Sequence, residues 1–128
     1  LMQSTRESIT LLPALPEQWK DGSVKGICAR GGFVVDMEWK DGKVTVLKIK
    51  SALGGNLRIR TAGELVMKNG AALAAAEGVN PNPYFAVPEV AEPIISEAAS
   101  LEVLPVADTY LYDVPTAAGK EYVFVAAK

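Results

Sequence analysis

Between Phe33 and Lys40 the chain alternates without a break. Phe33, Val35, Met37 and Trp39 fall on one side, and Val34, Asp36, Glu38 and Lys40 on the other. Side chains of an extended chain point alternately to its two faces, so this run predicts a half-buried strand. Asp41-Gly42 follows, and Lys43 to Ser51 is again strand-like. An Asp-Gly pair between two such runs signals a two-residue hairpin, whose turn needs positive φ at both central residues. That turn implies a register: Lys40 opposite Lys43, Trp39 opposite Val44, Met37 opposite Val46 and Val35 opposite Lys48. The last pairing would drive Lys48 into the core and leave Leu47 and Ile49 outside. A one-residue slip exchanges the two faces. A β-bulge near Val46-Leu47, or a strand passing between two buried environments, is therefore predicted.

The rest of the chain adds short strands and turns. Val24 to Arg30 is a strand candidate closed by Gly31-Gly32. Asn56 to Arg60 is predicted with Leu57 and Ile59 inward and Arg58 and Arg60 outward. Leu65-Val66-Met67 before Asn69-Gly70 reads as a further strand and turn, while Ala71 to Glu77 is open between helical turn, loop and strand. Thr109 to Val114 and Glu121 to Ala126 read as a terminal hairpin punctuated by Pro115 and Gly119. Val79 to Pro105 holds five of the eight prolines yet carries Tyr84, Phe85, Val87, Val90, Ile94 and Ile95. It is predicted as an irregular segment strapped over the surface, burying alternate side chains. Leu1 to Glu7 reads as the frayed end of a helix, and Pro13 to Trp19 as a rigid extended connector. Together these elements predict an all-β, antiparallel β-sandwich.

Composition narrows the chemistry. The chain has no histidine, which removes Ser-His-Asp and Cys-His machinery and most transition-metal sites. No cofactor is expected. Its net charge of −2 leaves no basic surplus for nucleic acid, and no apolar run approaches the roughly 20 residues that span a bilayer. Neither nucleic acid nor membrane is expected as a partner. The single cysteine, Cys28, has no partner for a disulfide and is expected as a small buried hydrophobe. The sequence opens on Leu1 and no signal-peptide pattern follows, so it reads as an excised or processed piece.

Asp36 and Glu38 are the one carboxylate pair on a single strand face, with Cβ atoms about 6.5–7 Å apart from the strand rise. Glycosidases place their two carboxylates on opposite sides of a scissile bond, usually from different elements. Two on one strand are expected to solvate its outer face, so no catalytic residue is assigned. Trp39 is expected in the core, Tyr110 and Tyr112 as packing partners, and Trp19 as a side chain pinning the connector to a neighbouring domain. Arg30-Gly31-Gly32 is either a plain tight turn or a point of close domain contact. Lys40, Lys43, Lys48 and Lys50 are expected on a solvated face.

The stretch LLPALPEQWKDGSVKGICARGGFVVDMEWKDGKVTVLKIKS, residues 11–51, resembles glycoside hydrolase family 95, the α-L-fucosidase family. The ordered pieces LLPALP, W-x-D-G-S-V-K-G, ARGGF and D-x-x-W carry the resemblance, and the tail from Asn80 resembles Bacteroidetes-type members. The resemblance implies a C-terminal β domain behind an (α/α)6 catalytic barrel, which hydrolyses with inversion using its own carboxylates and asparagines. None of those residues maps onto this chain. It implies that residues 1–20 are the end of the barrel and the connector, and that residues 21–128 are the sandwich. The expected role is non-catalytic bracing of the barrel, with a carbohydrate-binding module as the alternative. The expected partners are the upstream barrel of the same polypeptide and glycan through the parent, which would be periplasmic or secreted. The expected interface residues are Leu11, Leu12, Leu15, Trp19, Arg30, Gly31, Gly32 and Phe33. Thr5 stands where family members often have histidine.

Overall fold

The computed structural model describes residues 1–128 as two packed five-stranded sheets. Ten strands follow in chain order: β1 (Met2–Thr5), β2 (Ser8–Leu11), β3 (Gly22–Ala29), β4 (Phe33–Lys40), β5 (Lys43–Ser51), β6 (Gly55–Thr61), β7 (Leu65–Met67), β8 (Ala74–Ala75), β9 (Tyr110–Thr116) and β10 (Glu121–Ala126). One sheet runs β1-β2-β6-β9-β8 and the other β3-β4-β5-β10-β7. Every pairing is antiparallel except β2 with β6, which is parallel. The predicted β-sandwich is the architecture observed.

The core forms where the two inner faces meet. Phe33, Val35, Met37, Trp39, Val44, Leu47, Ile49 and Phe124 of one sheet pack against Ile9, Leu11, Leu57, Ile59, Tyr112 and Val114 of the other. Each large side chain fully buried in such a layer contributes roughly 1.5–3 kcal/mol. The Asp41-Gly42 turn forms as predicted, with φ of 49° and 74°. Lys40 faces Lys43 and Trp39 faces Val44. The register then shifts by one: Glu38 faces Val46, Met37 faces Leu47 and Val35 faces Ile49. The extra residue is Thr45, one position before the predicted bulge. Its hydroxyl donates to the Glu38 carbonyl at 3.1 Å. The bulge carries Leu47 and Ile49 into the core and Lys48 to the outer face. A second irregularity lies in β3 between Val24 and Ile27, where the Gly26 N–H donates to Asp36 Oδ1 at 2.8 Å.

Four expectations are corrected. Leu1–Glu7 is not the end of a helix. Met2–Thr5 and Ser8–Leu11 form a hairpin, and β2 continues the sheet through Ile9 opposite Ile59. Ile9 is one of the most buried residues of the chain, and its burial outweighs any weak helical preference of the polar residues before it. The last two strands are not a hairpin. β9 pairs with β6 in one sheet and β10 with β5 in the other. The corner between them crosses the sandwich, tied by Gly119 N to Ser51 O (2.7 Å), Ser51 N to Lys120 O (2.8 Å) and Ala117 N to Tyr122 Oη (2.8 Å). Tyr112, Val114 and Phe124 thereby enter one core from opposite sides. Cys28 is exposed, because it sits opposite Val34 on the outer face of the sheet. Finally, the proline-rich segment is strapped down only as far as Phe85; residues 86–109 are exposed throughout.

Candidate interdomain surface and a buried polar cluster

The eight residues expected at a domain interface separate into two groups. Leu11 and Phe33 are spent inside the sandwich, 2% and 0% exposed. Gly31 is also buried, with the Phe33 and Phe85 rings against the place where a Cβ would stand. The Arg30-Gly31-Gly32 sequence is a tight turn joining β3 to β4, with φ of 84° and 73° at the two glycines. Gly32 is half-buried against Leu53. The Arg30 N–H donates to Ser4 Oγ at 2.7 Å, which ties the turn to β1. These contacts are internal, so Leu11, Gly31 and Phe33 cannot supply an interface.

Leu12, Leu15 and Trp19 remain on the surface, and they belong to one connector. Leu12 and Leu15 are half-buried and Trp19 is 54% exposed. The connector is held to the tip of the β4–β5 hairpin by three hydrogen bonds. Trp39 Nε1 donates to the Trp19 carbonyl at 2.8 Å, Asp41 N to Asp21 Oδ1 at 2.8 Å and Gly42 N to the Lys20 carbonyl at 2.8 Å. Leu12, Leu15, Pro16, Glu17, Lys20 and Asp41 line an open depression of about 440 Å³ beside it. The Trp39 ring lies across Gly22, where an added Cβ would collide with it. Gly22→Ala is therefore expected to destabilise the chain by about 1–3 kcal/mol, the usual cost of forcing atoms into a packed contact. Thermal or urea unfolding measures it, and an unchanged midpoint would mean that the ring has room to move.

Asp36 and Glu38 do share the outer face of β4, where they line a shallow depression with Lys25 and Lys48. Asp36 is occupied by the β3 bulge, accepting from Gly26 N. Nothing opposes the pair across a cleft, as two glycosidase carboxylates require.

The cluster that sequence reasoning missed is centred on Arg58. Its side chain leaves the outer face of β6, as expected, yet it is only 1% exposed. Nε and Nη2 donate to Asp113 Oδ1 and Oδ2, each at 2.8 Å. Nη1 donates to the Gly78 carbonyl at 2.8 Å and Nη2 also to the Glu77 carbonyl at 3.0 Å. Asn56 Nδ2 adds a bond to Asp113 Oδ1 at 2.9 Å. Asn80 and Asn82 complete the cover. Asn80 Oδ1 accepts from Asn56 Nδ2 (3.0 Å) and Asn82 N (3.1 Å), and Asn80 Nδ2 donates to the Glu7 carbonyl (2.7 Å). Asn82 Nδ2 donates to the Asn56 carbonyl at 3.0 Å, and its Oδ1 accepts from Tyr84 N at 3.1 Å. The hydrogen bond from Arg58 holds the Asp113 carboxyl below the usual carboxylate range, against the opposing effect of burial. The same hydrogen bond raises the Arg58 guanidinium, so both partners stay charged. Burial pushes the nearby Tyr112 hydroxyl upward. The cluster is a clamp that fastens residues 77–82 over the outer face of β6. The signal available in the sequence was the Asn80-Pro81-Asn82-Pro83 run, in which short amides alternate with residues that lack an N–H.

The profile of the glycoside hydrolase family 95 C-terminal domain matches residues 3–88. The chain belongs to this family. The matched stretch runs from the β1–β2 hairpin through the connector to the Asn80–Phe85 strap, so the surface and the clamp both lie within it. A stretch of 45 residues is also 47% identical to alpha-L-fucosidase 2 of Arabidopsis thaliana, covering 34% of this chain and 5% of that protein. The chain thus matches a small part of the length of its curated relative. As a family 95 C-terminal domain, it is part of a fucosidase-like glycoside hydrolase.

Proposed function

We propose that this domain is non-catalytic and braces an (α/α)6 catalytic barrel lying before it in the same polypeptide. The parent would be an inverting glycosidase of α-L-fucosidase type, with glycan bound in the barrel. The observation that carries this reading is the connector. Leu12, Leu15 and Trp19 offer apolar surface, while the Trp19 backbone is fixed to the sandwich through Trp39. A rigid apolar ridge on a soluble domain fits a partner surface that completes its burial. Residues 1–20 then serve as the junction on the barrel side, and Arg30 as a flanking contact.

The test uses the parent enzyme. Leu15→Ser with Trp19→Ser is expected to lower the temperature at which activity is lost by several degrees, with kcat against an aryl fucoside unchanged at low temperature. The 128-residue chain alone is expected to give no turnover of that substrate. Turnover by the isolated chain that disappears in Asp36→Asn would sink the non-catalytic assignment.

The carbohydrate-binding alternative rests on Trp19 itself, an exposed indole near the depression that Glu17, Lys20 and Asp41 line. Saturable heat on titrating the chain with fucosylated oligosaccharides, lost in Trp19→Ala, would favour it over bracing.

A further inference from the structure

Residues 86–109 stand apart from the rest of the chain in three ways. All of them are exposed, including Val90, Ile94, Ile95, Leu101, Val103 and Val106. Their backbone makes one hydrogen bond within the segment, Ala99 N to Ser96 O, beyond the bond at Ala86 that closes the preceding turn. The segment carries Glu89, Glu92, Glu97, Glu102 and Asp108 and no lysine or arginine. The chain's net charge of −2 therefore divides into −5 on this segment and +3 on everything else.

The segment is also far longer than its route requires. It starts beside Phe85 and Asn82, at the Gly55 end of β6, and finishes at Tyr110, which pairs with Thr61 at the other end of the same strand. Those ends are about 20 Å apart from the strand rise, whereas the segment has roughly 80 Å of extended contour. Both ends are anchored, one by the buried Phe85 ring and the other by β9. The excess must stand away from the body as an arm.

We propose that this arm is exchanged between two copies of the chain, each arm lying across the outer face of the other copy's β3-β4-β5-β10-β7 sheet. That face suits it in both charge and polarity. Val66, Val125 and Val46 form a half-buried apolar row across three neighbouring strands. Lys25, Lys48 and Lys50 lie beside the row. The arm leaves from the opposite sheet, so this face points away from the arm's own anchors. A second molecule reaches it without wrapping round its own sandwich. Reciprocal exchange of one element gives a closed two-fold dimer at low energetic cost. Acidic side chains on the arm and lysines on the face set the register and the salt dependence.

The experiment is sedimentation velocity on the 128-residue chain. At about 100 µM and low ionic strength the chain is expected to be dimeric, dissociating as salt shortens the Debye length to about 3 Å near 1 M. Glu89→Lys, Glu92→Lys and Glu97→Lys together change only exposed side chains, and they are expected to raise the dimer dissociation constant at least about tenfold. Lys25→Glu with Lys50→Glu is expected to do the same. Combining the five substitutions in one chain reverses both partners and is expected to restore the dimer. A chain that stays monomeric under these conditions overturns the proposal, as does a dimer indifferent to the arm reversal. Either result leaves the bracing role untouched, since that rests on Leu12, Leu15 and Trp19.

Discussion

Replacing Arg58 with alanine is expected to lower the unfolding free energy by about 3–5 kcal/mol, the range for removing one member of a buried ion pair. The size follows from what is left behind. Asp113 keeps only Asn56 among its side-chain partners, and the Glu77 and Gly78 carbonyls lose their donor under the strap. Arg58→Met with Asp113→Leu should be less damaging than Arg58→Ala, because removing both charges leaves neither stranded. A pH series sharpens the test. Asp113 stays ionised in the fold at pH values where aspartates of an unfolded chain, titrating near 3.9, take up protons. The unfolded chain then binds more protons, so this contribution is fully present above about pH 3.9 and is lost as pH falls through the folded value. In Arg58→Ala that acid sensitivity should shrink along with the stability. Urea titrations at pH 7 and at pH 3 measure both effects. A cost below about 1 kcal/mol at pH 7 would place the pair with ordinary surface ion pairs and remove the clamp.

The reason Arg58 escaped notice in the sequence is physical. Alternation along β6 correctly assigns it to the outer face, but alternation describes one sheet and says nothing of what crosses over it. The covering chain comes from residues 77–82, held by side-chain amides and carbonyls that carry no hydrophobic period. The β9–β10 connection failed for a related reason. Two adjacent strands with a short turn read alike whether they pair with one another or with separate sheets. The core positions, by contrast, were legible. Phe33, Val35, Met37, Trp39, Leu57 and Ile59 each lie at the inward phase of a period-two run, and all are buried. Among the proposed interface residues, Leu11 fell to the core because β2 extends the sheet to it. Leu12, whose backbone turns at φ 50°, and Leu15 did not.

The β5 bulge supports a prediction in which one deletion is harmless and another, three residues away, is not. Removing Thr45 takes out the extra residue and leaves Val44 opposite Trp39, Val46 opposite Glu38 and Leu47 opposite Met37 in a regular ladder. β10 pairs with β5 only from Val46 onward, so the central pairing is undisturbed. The expected cost is about 1–2 kcal/mol, for the hydroxyl bond to Glu38 and the local twist. Removing Lys48 instead shifts every later residue of β5 by one. Ile49 would then take the outward place opposite Asp36, and Lys50 the fully buried place opposite Val35. Losing a buried isoleucine and burying an unpaired ammonium together exceed the roughly 5–15 kcal/mol that holds a small domain folded. The Lys48 deletion is expected to be unfolded, with no cooperative thermal transition, while the Thr45 deletion melts as a single transition close to the parent's. If the two melted alike, the inward phase of Leu47 and Ile49 would not be what selects the register of this hairpin.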